Sequence, residues 1–237
     1  MSPPSPPPPP PPPASLTRTF RKGASGYSSG HDTYIGISGA NSAHGISSPI
    51  VAGGTTKTTA LLRFDTLFGS SASEIPSGAK ITSAKLSMTT ATGAADGSTS
   101  AFSLHRLLKS FTESSTWNSM VNGVSADGIE SVAAADASAV PGGVGKLVTF
   151  DVTKSLQAWE KGSPDFGWAI MTSGTDAWRF DSDEISTLGL RPELKVTFTT
   201  ATPSLAKSVS AVPEPSAGVV VFGALAATLA RRRRKSS

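Results

Sequence analysis

The sequence predicts an all-β fold, an antiparallel β-sandwich of jelly-roll type, with a single C-terminal transmembrane helix. Three observations carry this. Charged residues make up 16% of the 237-residue chain while Ser, Thr, Ala and Gly dominate, a balance poor in the Lys and Glu that cover helix surfaces. Hydrophobic residues recur with period two in many short runs broken by Gly, Ser, Pro and Asp, with no strand–helix alternation. Near the C-terminus an apolar stretch runs directly into a cluster of arginines.

Residues 1–26 read as a Pro-rich disordered segment. Pro3, Pro4 and Pro6 to Pro13 can enter neither a helix nor a sheet ladder and favour polyproline II or disorder. Such a run could serve as a stiff spacer or a ligand for a proline-binding domain; the plainer reading is an uncertain gene start. Residues 27–200 form the predicted domain. His31 to Ile37 reads as its first strand, and Thr58 to Asp65 as a central strand with Ala60, Leu62 and Phe64 on one face and Leu61 and Arg63 on the other. Ser83 to Thr90 points Ala84, Leu86 and Met88 inward. Ala101 to Lys109 puts Phe102, Leu104 and Leu108 on one side and His105 on the other.

Residues 110–145, rich in Ala, Ser and Gly, read as a long loop with a strand fragment. Lys146 to Thr153 buries Val148, Phe150 and Val152, and Lys154 to Lys161 is the one helical pattern, carrying Leu156 and Trp159. Gly167 to Thr172 and Ala177 to Asp181 are short strands. Pro192 to Thr200 closes the domain with Leu194, Val196 and Phe198 facing in. Many short strands without a βαβ rhythm mean a sandwich or jelly roll.

Composition narrows the function classes. The chain has no cysteine, which removes disulfides, thiolate nucleophiles and Cys-ligated zinc. A pI near 9.5 suggests nucleic acid until the charges are located. Taking away Arg231 to Arg234, Lys235 and Glu214 leaves 16 basic and 16 acidic residues in residues 1–211, so the globular part is neutral. A nucleic-acid-binding domain carries its basic excess on the folded body, and this one does not.

Several segments together resemble a known family: His31-Asp32-Thr33-Tyr34-Ile35, Leu61 to Asp65, Ile75 to Leu86, Phe111 to Asn118, Phe150 to Thr153, Gln157-Ala158-Trp159, Phe166-Gly167-Trp168, Phe180 to Glu184 and Arg191 to Leu194. In this order and spacing they are similar to the DNRLRE domain, also called the disaggregatase-related domain, itself similar to a carbohydrate-binding module. The resemblance covers about residues 27–200 and implies a β-sandwich accessory module of secreted or surface proteins. Arg63 and Arg191 are candidates to pair with Asp65, Asp151 or Glu184.

The tail, residues 212–237, follows a linker over 201–211. Val212, Pro213, Glu214 and Pro215 precede the apolar residues Ala217 to Ala230, and Arg231, Arg232, Arg233 and Arg234 follow. This is similar to the PEP-CTERM sorting signal, which implies processing by an exosortase, a membrane protease-transpeptidase. Fifteen residues from Ser216 to Ala230 span roughly 22 Å as a helix, short for a bilayer without flanking residues. The basic cluster anchors the C-terminus on the cytoplasmic side. The domain is then exported, to the cell envelope or extracellular matrix. A simple tail anchor is the alternative. Export implies a signal peptide, which Met1 to Phe20 do not resemble, so one is expected upstream of Met1.

Chemistry is sparse. His31, His44 and His105 lack metal-binding spacing, and there is neither a nucleophile elbow nor a phosphate-binding glycine loop. A lyase could use Tyr27, Tyr34 and His105, though no spacing brings them together. The acidic group Asp176, Asp181, Asp183 and Glu184 reads first as a solvated turn; paired carboxylates could cleave a glycoside, and Asp181, Asp183 and Glu184 could bind calcium, the one cofactor the residues admit. Sugar binding requires an exposed aromatic. Trp159 and Trp168 sit in apolar patterns and read as core, whereas Trp178, between Asp176 and Arg179, and Trp117, in a polar stretch, are candidates for exposure. Arg106 and Arg179 could pair with an anionic glycan. The sequence therefore predicts a non-catalytic envelope or matrix protein that associates with extracellular polysaccharide. Its alternatives are a purely structural surface protein and a polysaccharide lyase or hydrolase.

Overall fold

The computed structural model of the protein describes residues 13–200. Thirteen strands are named in chain order: β1 (Ser15–Phe20), β2 (Gly30–Gly36), β3 (Ile50–Gly53), β4 (Thr58–Phe64), β5 (Phe68–Gly69), β6 (Ile75–Pro76), β7 (Lys80–Thr89), β8 (Phe102–Arg106), β9 (Ala137–Ala139), β10 (Leu147–Asp151), β11 (Trp168–Met171), β12 (Ala177–Phe180) and β13 (Glu193–Thr199). One helix, α1 (Thr153–Glu160), stands between β10 and β11.

Two antiparallel sheets face each other. The first runs β1-β13-β7-β10. The second has β2, β4, β11, β8 and β9 side by side, and β3 joins it where Gly53 opposes Thr58, with β12 outside β3. A bridge from Thr90 to Phe180 ties the end of β7 to β12, so the sheets curl toward each other on that side. The expected β-sandwich is therefore present. The short parallel pair β5–β6 lies apart from both sheets.

Period-two residues build the core. Leu86, Met88, Val148, Phe150, Leu194, Val196 and Phe198 from the first sheet meet Ala60, Leu62, Phe64, Phe102, Leu104, Trp168 and Ile170 from the second. Each large side chain removed from water this way contributes on the order of 1.5–3 kcal/mol. The outer face of the second sheet is covered too: Leu107, Phe111, Met120 and Val124, from the segment after β8, close over Ile35, Leu61 and Ala169. This second layer explains why β4 buries Leu61 as well as Leu62. In α1, Leu156 and Trp159 are buried as the pattern predicts, and the Trp159 ring lies 4.6 Å from that of Trp168.

The structure departs from the sequence reading of the strands and their contacts in several places. Residues 15–20, read as part of a disordered segment, form β1, which pairs along its whole length with β13 and buries Phe20. The neighbouring prolines and an inward-facing Arg18, whose guanidinium lies 6.0 Å from the Phe198 ring, mask its alternation. Strand β3 was not predicted, because four residues between Pro49 and Gly54 are too few to show a period. Leu108 is 44% exposed rather than in the core, since β8 ends at Arg106 and the chain turns to bridge Leu107 with Ser131. Arg63 does bond Asp65, at 3.0 Å, but Arg191 donates instead to the backbone carbonyls of Ile185 and Lys22.

Among the described residues no helix is long and apolar enough to cross a membrane. The predicted transmembrane helix, the Val212–Pro215 motif and the Arg231–Arg234 cluster all lie outside the described residues.

Candidate functional site

The candidate aromatics separate cleanly. Trp178 alternates along β12 with half-buried Ala177 and Arg179, and pairs with Ala52 across to β3. That register turns its indole inward, where it is fully buried against Phe102, Phe150 and Phe180 at 4.8–6.1 Å between ring centroids. Its Nε1 donates to Thr90 Oγ1 at 3.0 Å. The expected exposure of Trp178 is therefore corrected: its polar sequence neighbours face the opposite side of the strand.

Trp117 stays half-buried. Its ring rests on Gly123, where an added Cβ would come within 2.5 Å of the indole and where φ is +104°, so glycine is required twice over. The indole borders a groove of about 440 Å³ at the end of the second sheet, where the β3–β4 turn, the segment after β11 and the Trp117–Val124 loop converge. Lys57, Thr58, Met171, Thr172 and Ser173 also line it. A part-buried indole, packed against the second core layer and Gly123, stands here beside a thioether, hydroxyls and one ammonium, a mixture of apolar edge and hydrogen-bonding groups of the kind a sugar ring can meet. Sequence reasoning picked out Trp117 but missed Lys57 and Met171, which reach the groove only because β3–β4 and β11 share an end.

Arg106 is not free for a ligand. Its Nε donates to Asp136 Oδ2 at 2.6 Å, and the same oxygen accepts from Ser155 Oγ at 2.7 Å, which in turn accepts from Trp168 Nε1 at 2.8 Å. Arg179 donates to the Ala95 carbonyl at 3.1 Å and lies 3.8 Å from Asp96. It borders a broader groove of about 770 Å³ that has no aromatic lining residue.

The candidate lyase residues do not converge. Tyr34 shares an inward-facing row with Ala60, Ile170 and Leu104, whereas His105 shares an outward-facing row with Ala169, Leu61 and Thr33. His105 is buried and held by Ser103 Oγ and the Val132 carbonyl, both at 2.9 Å. The Tyr27 hydroxyl donates to the carbonyls of Ser29 and Asp65.

The acidic residues divide differently from the sequence expectation. Asp176 accepts from Ser98 and Ser100 near the broad groove. Asp181 is buried away from the rest of the group, nearest in charge to Asp96. Asp183 and Glu184 instead join Asp32, whose side chain points inward from β2 at the sandwich edge. Asp32 Oδ2 accepts from the Asp183 backbone N–H at 2.7 Å. Lys22, just past β1, donates to Asp183 and Glu184 at 2.9 Å each. Burial, then the neighbouring Asp183 charge, pushes Asp32 well above the usual carboxylate range. Burial, with Glu184 alongside, pushes Asp183 up as well. No periodicity could have found Asp32, an acid on the inward face of a strand.

The comparison with known families now has a structure to rest on. Residues 24–198 match the model of carbohydrate-binding module family 96. The chain belongs to this family. The family-96 match takes in the Trp117 groove and every strand except β1, and it ends one residue before the end of β13. No curated protein matches the chain.

Proposed function

We propose that this family-96 module is non-catalytic and attaches its protein to extracellular polysaccharide through the groove beside Trp117. The observation that carries the reading is the family-96 match over residues 24–198, together with a groove lined by one part-buried indole and several hydroxyls. The three clustered carboxylates support a non-catalytic role. Asp32 and Asp183 are at most 4% exposed, whereas glycoside cleavage needs carboxyl groups flanking an accessible bond.

A glycan array probed with the full chain and with Trp117→Ala tests this. Wild type is expected to bind a defined set of polysaccharides. Trp117→Ala should weaken that binding roughly 30-fold or more, the ~2 kcal/mol that truncating an aromatic anchor costs. Binding unchanged by Trp117→Ala would move the site elsewhere. No glycan binding by a folded wild type would leave a purely structural surface protein.

The C-terminal sequence supports delivery to the envelope or matrix: Val212-Pro213-Glu214-Pro215, an apolar stretch and Arg231 to Arg234, in that order, suit an exosortase-type enzyme at the membrane. Mass spectrometry of the native protein, fractionated from its host, should find it outside the cytoplasm with its C-terminus cleaved or modified near Pro215. An intact C-terminus on cytoplasmic protein would sink the sorting reading and leave the glycan reading standing.

A further inference from the structure

We propose that Asp32, Asp183 and Glu184 form a calcium site that locks the edge of the sandwich. The three carboxylates come from separate parts of the chain, Asp32 from β2 and the other two from the segment after β12. Each commits one oxygen to the protein: Asp32 Oδ2 to the Asp183 N–H, and Asp183 Oδ1 and Glu184 Oε1 to Lys22. Each leaves its other oxygen, Asp32 Oδ1, Asp183 Oδ2 and Glu184 Oε2, buried and without a hydrogen-bond partner. Three buried, orphaned oxygens on three acids that lie side by side are costly unless something positive sits among them.

The spacing suits calcium. One oxygen from each acid lies within 4.8 Å of the others. Ligands around a calcium ion sit at about 2.3–2.6 Å from it, so two on opposite sides of the shell are about 4.6–5.2 Å apart. Three carboxylate oxygens leave three or more positions for water or carbonyls in a shell of about 6–8.

Charge points the same way. With all three acids ionised, Lys22 offsets one of their negative charges, and a divalent ion would cancel the remaining two. Among the described residues no other cation pairs with these three acids: Arg63 is committed to Asp65 and Arg191 to the backbone carbonyls of Ile185 and Lys22, while Glu113 adds a further acid 3.9 Å from Lys22. Gly30 keeps the site open, since an added Cβ there would come within 3.0 Å of Asp183 Oδ2. Calcium, unlike magnesium, tolerates an irregular shell with few waters, so it is the ion this set of acids selects.

The test uses the full chain, stripped with a chelator and dialysed. Equilibrium dialysis against radioactive calcium should find one ion bound per chain, and the Tm should rise with calcium concentration, with a smaller rise for magnesium. Asp32→Asn and Glu184→Gln should each lower calcium affinity at least tenfold and abolish the Tm increment. Glu184, the most exposed of the three, carries the variant test if Asp32→Asn fails to fold. No calcium bound at millimolar concentration, with an unchanged Tm, would overturn the proposal and leave Lys22 and a shared proton holding the acids. Undiminished binding in a folded Glu184→Gln would overturn it equally.

Discussion

Trp178→Ala should lower the unfolding free energy by about 3–5 kcal/mol, a large share of what holds a domain of this size together. The indole is fully buried between the two sheets and touches aromatic rings from β8, β10 and its own strand. Alanine would leave a cavity between Phe102, Phe150 and Phe180, which cannot close without moving strands of both sheets. It would also take the donor from Thr90 Oγ1, which accepts from the indole at the point where β7 and β12 bridge. Chemical unfolding followed by tryptophan fluorescence measures the cost. A loss below about 1 kcal/mol would contradict the core position of Trp178. Any fall in glycan binding by this variant would then reflect lost folded protein, which is why Trp117, and not Trp178, is the residue to change in a binding experiment.

Arg106→Ala is expected to destabilise the domain by about 2–4 kcal/mol while leaving the glycan affinity of the folded variant unchanged. The Asp136 side chain is only 7% exposed, and among the described residues Arg106 is its one charged partner. Removing the guanidinium leaves the carboxylate bonded to Ser155 alone, in a chain that ends on the buried Trp168 indole. Because 23% of the Arg106 side chain reaches solvent, water can move in and hold the cost below that of a sealed ion pair. Arg106→Ala with Asp136→Ala should be less destabilised than the sum of the two single variants, by about 1 kcal/mol or more. Near-wild-type stability combined with weaker glycan binding would return Arg106 to the ligand site.

Both results turn on what a linear reading can see. Trp178 and Arg179 share a polar neighbourhood in sequence, and the alternation that separates them is visible only once β12 is known to pair with β3. Arg106 reads as a free cation because its partner lies 30 residues away, in a loop without periodicity. Lys22 and Asp32 likewise belong to an arrangement that no local spacing reveals.

The sequence by itself determined the sandwich, because period-two runs such as Ala84-Leu86-Met88 and Leu194-Val196-Phe198 commit one face of each strand to burial whatever their partners are. It also determined that α1 buries Leu156 and Trp159, and that Trp159 and Trp168 are core. Only the tertiary structure decided which candidate aromatic is buried and which borders a groove, which arginine is already paired, and which acids meet. Those outcomes depend on strand order and on side chains brought together from distant segments. Hydrophobic burial is written into each strand locally, whereas a binding groove or a cluster of charges exists only where separate strands end side by side.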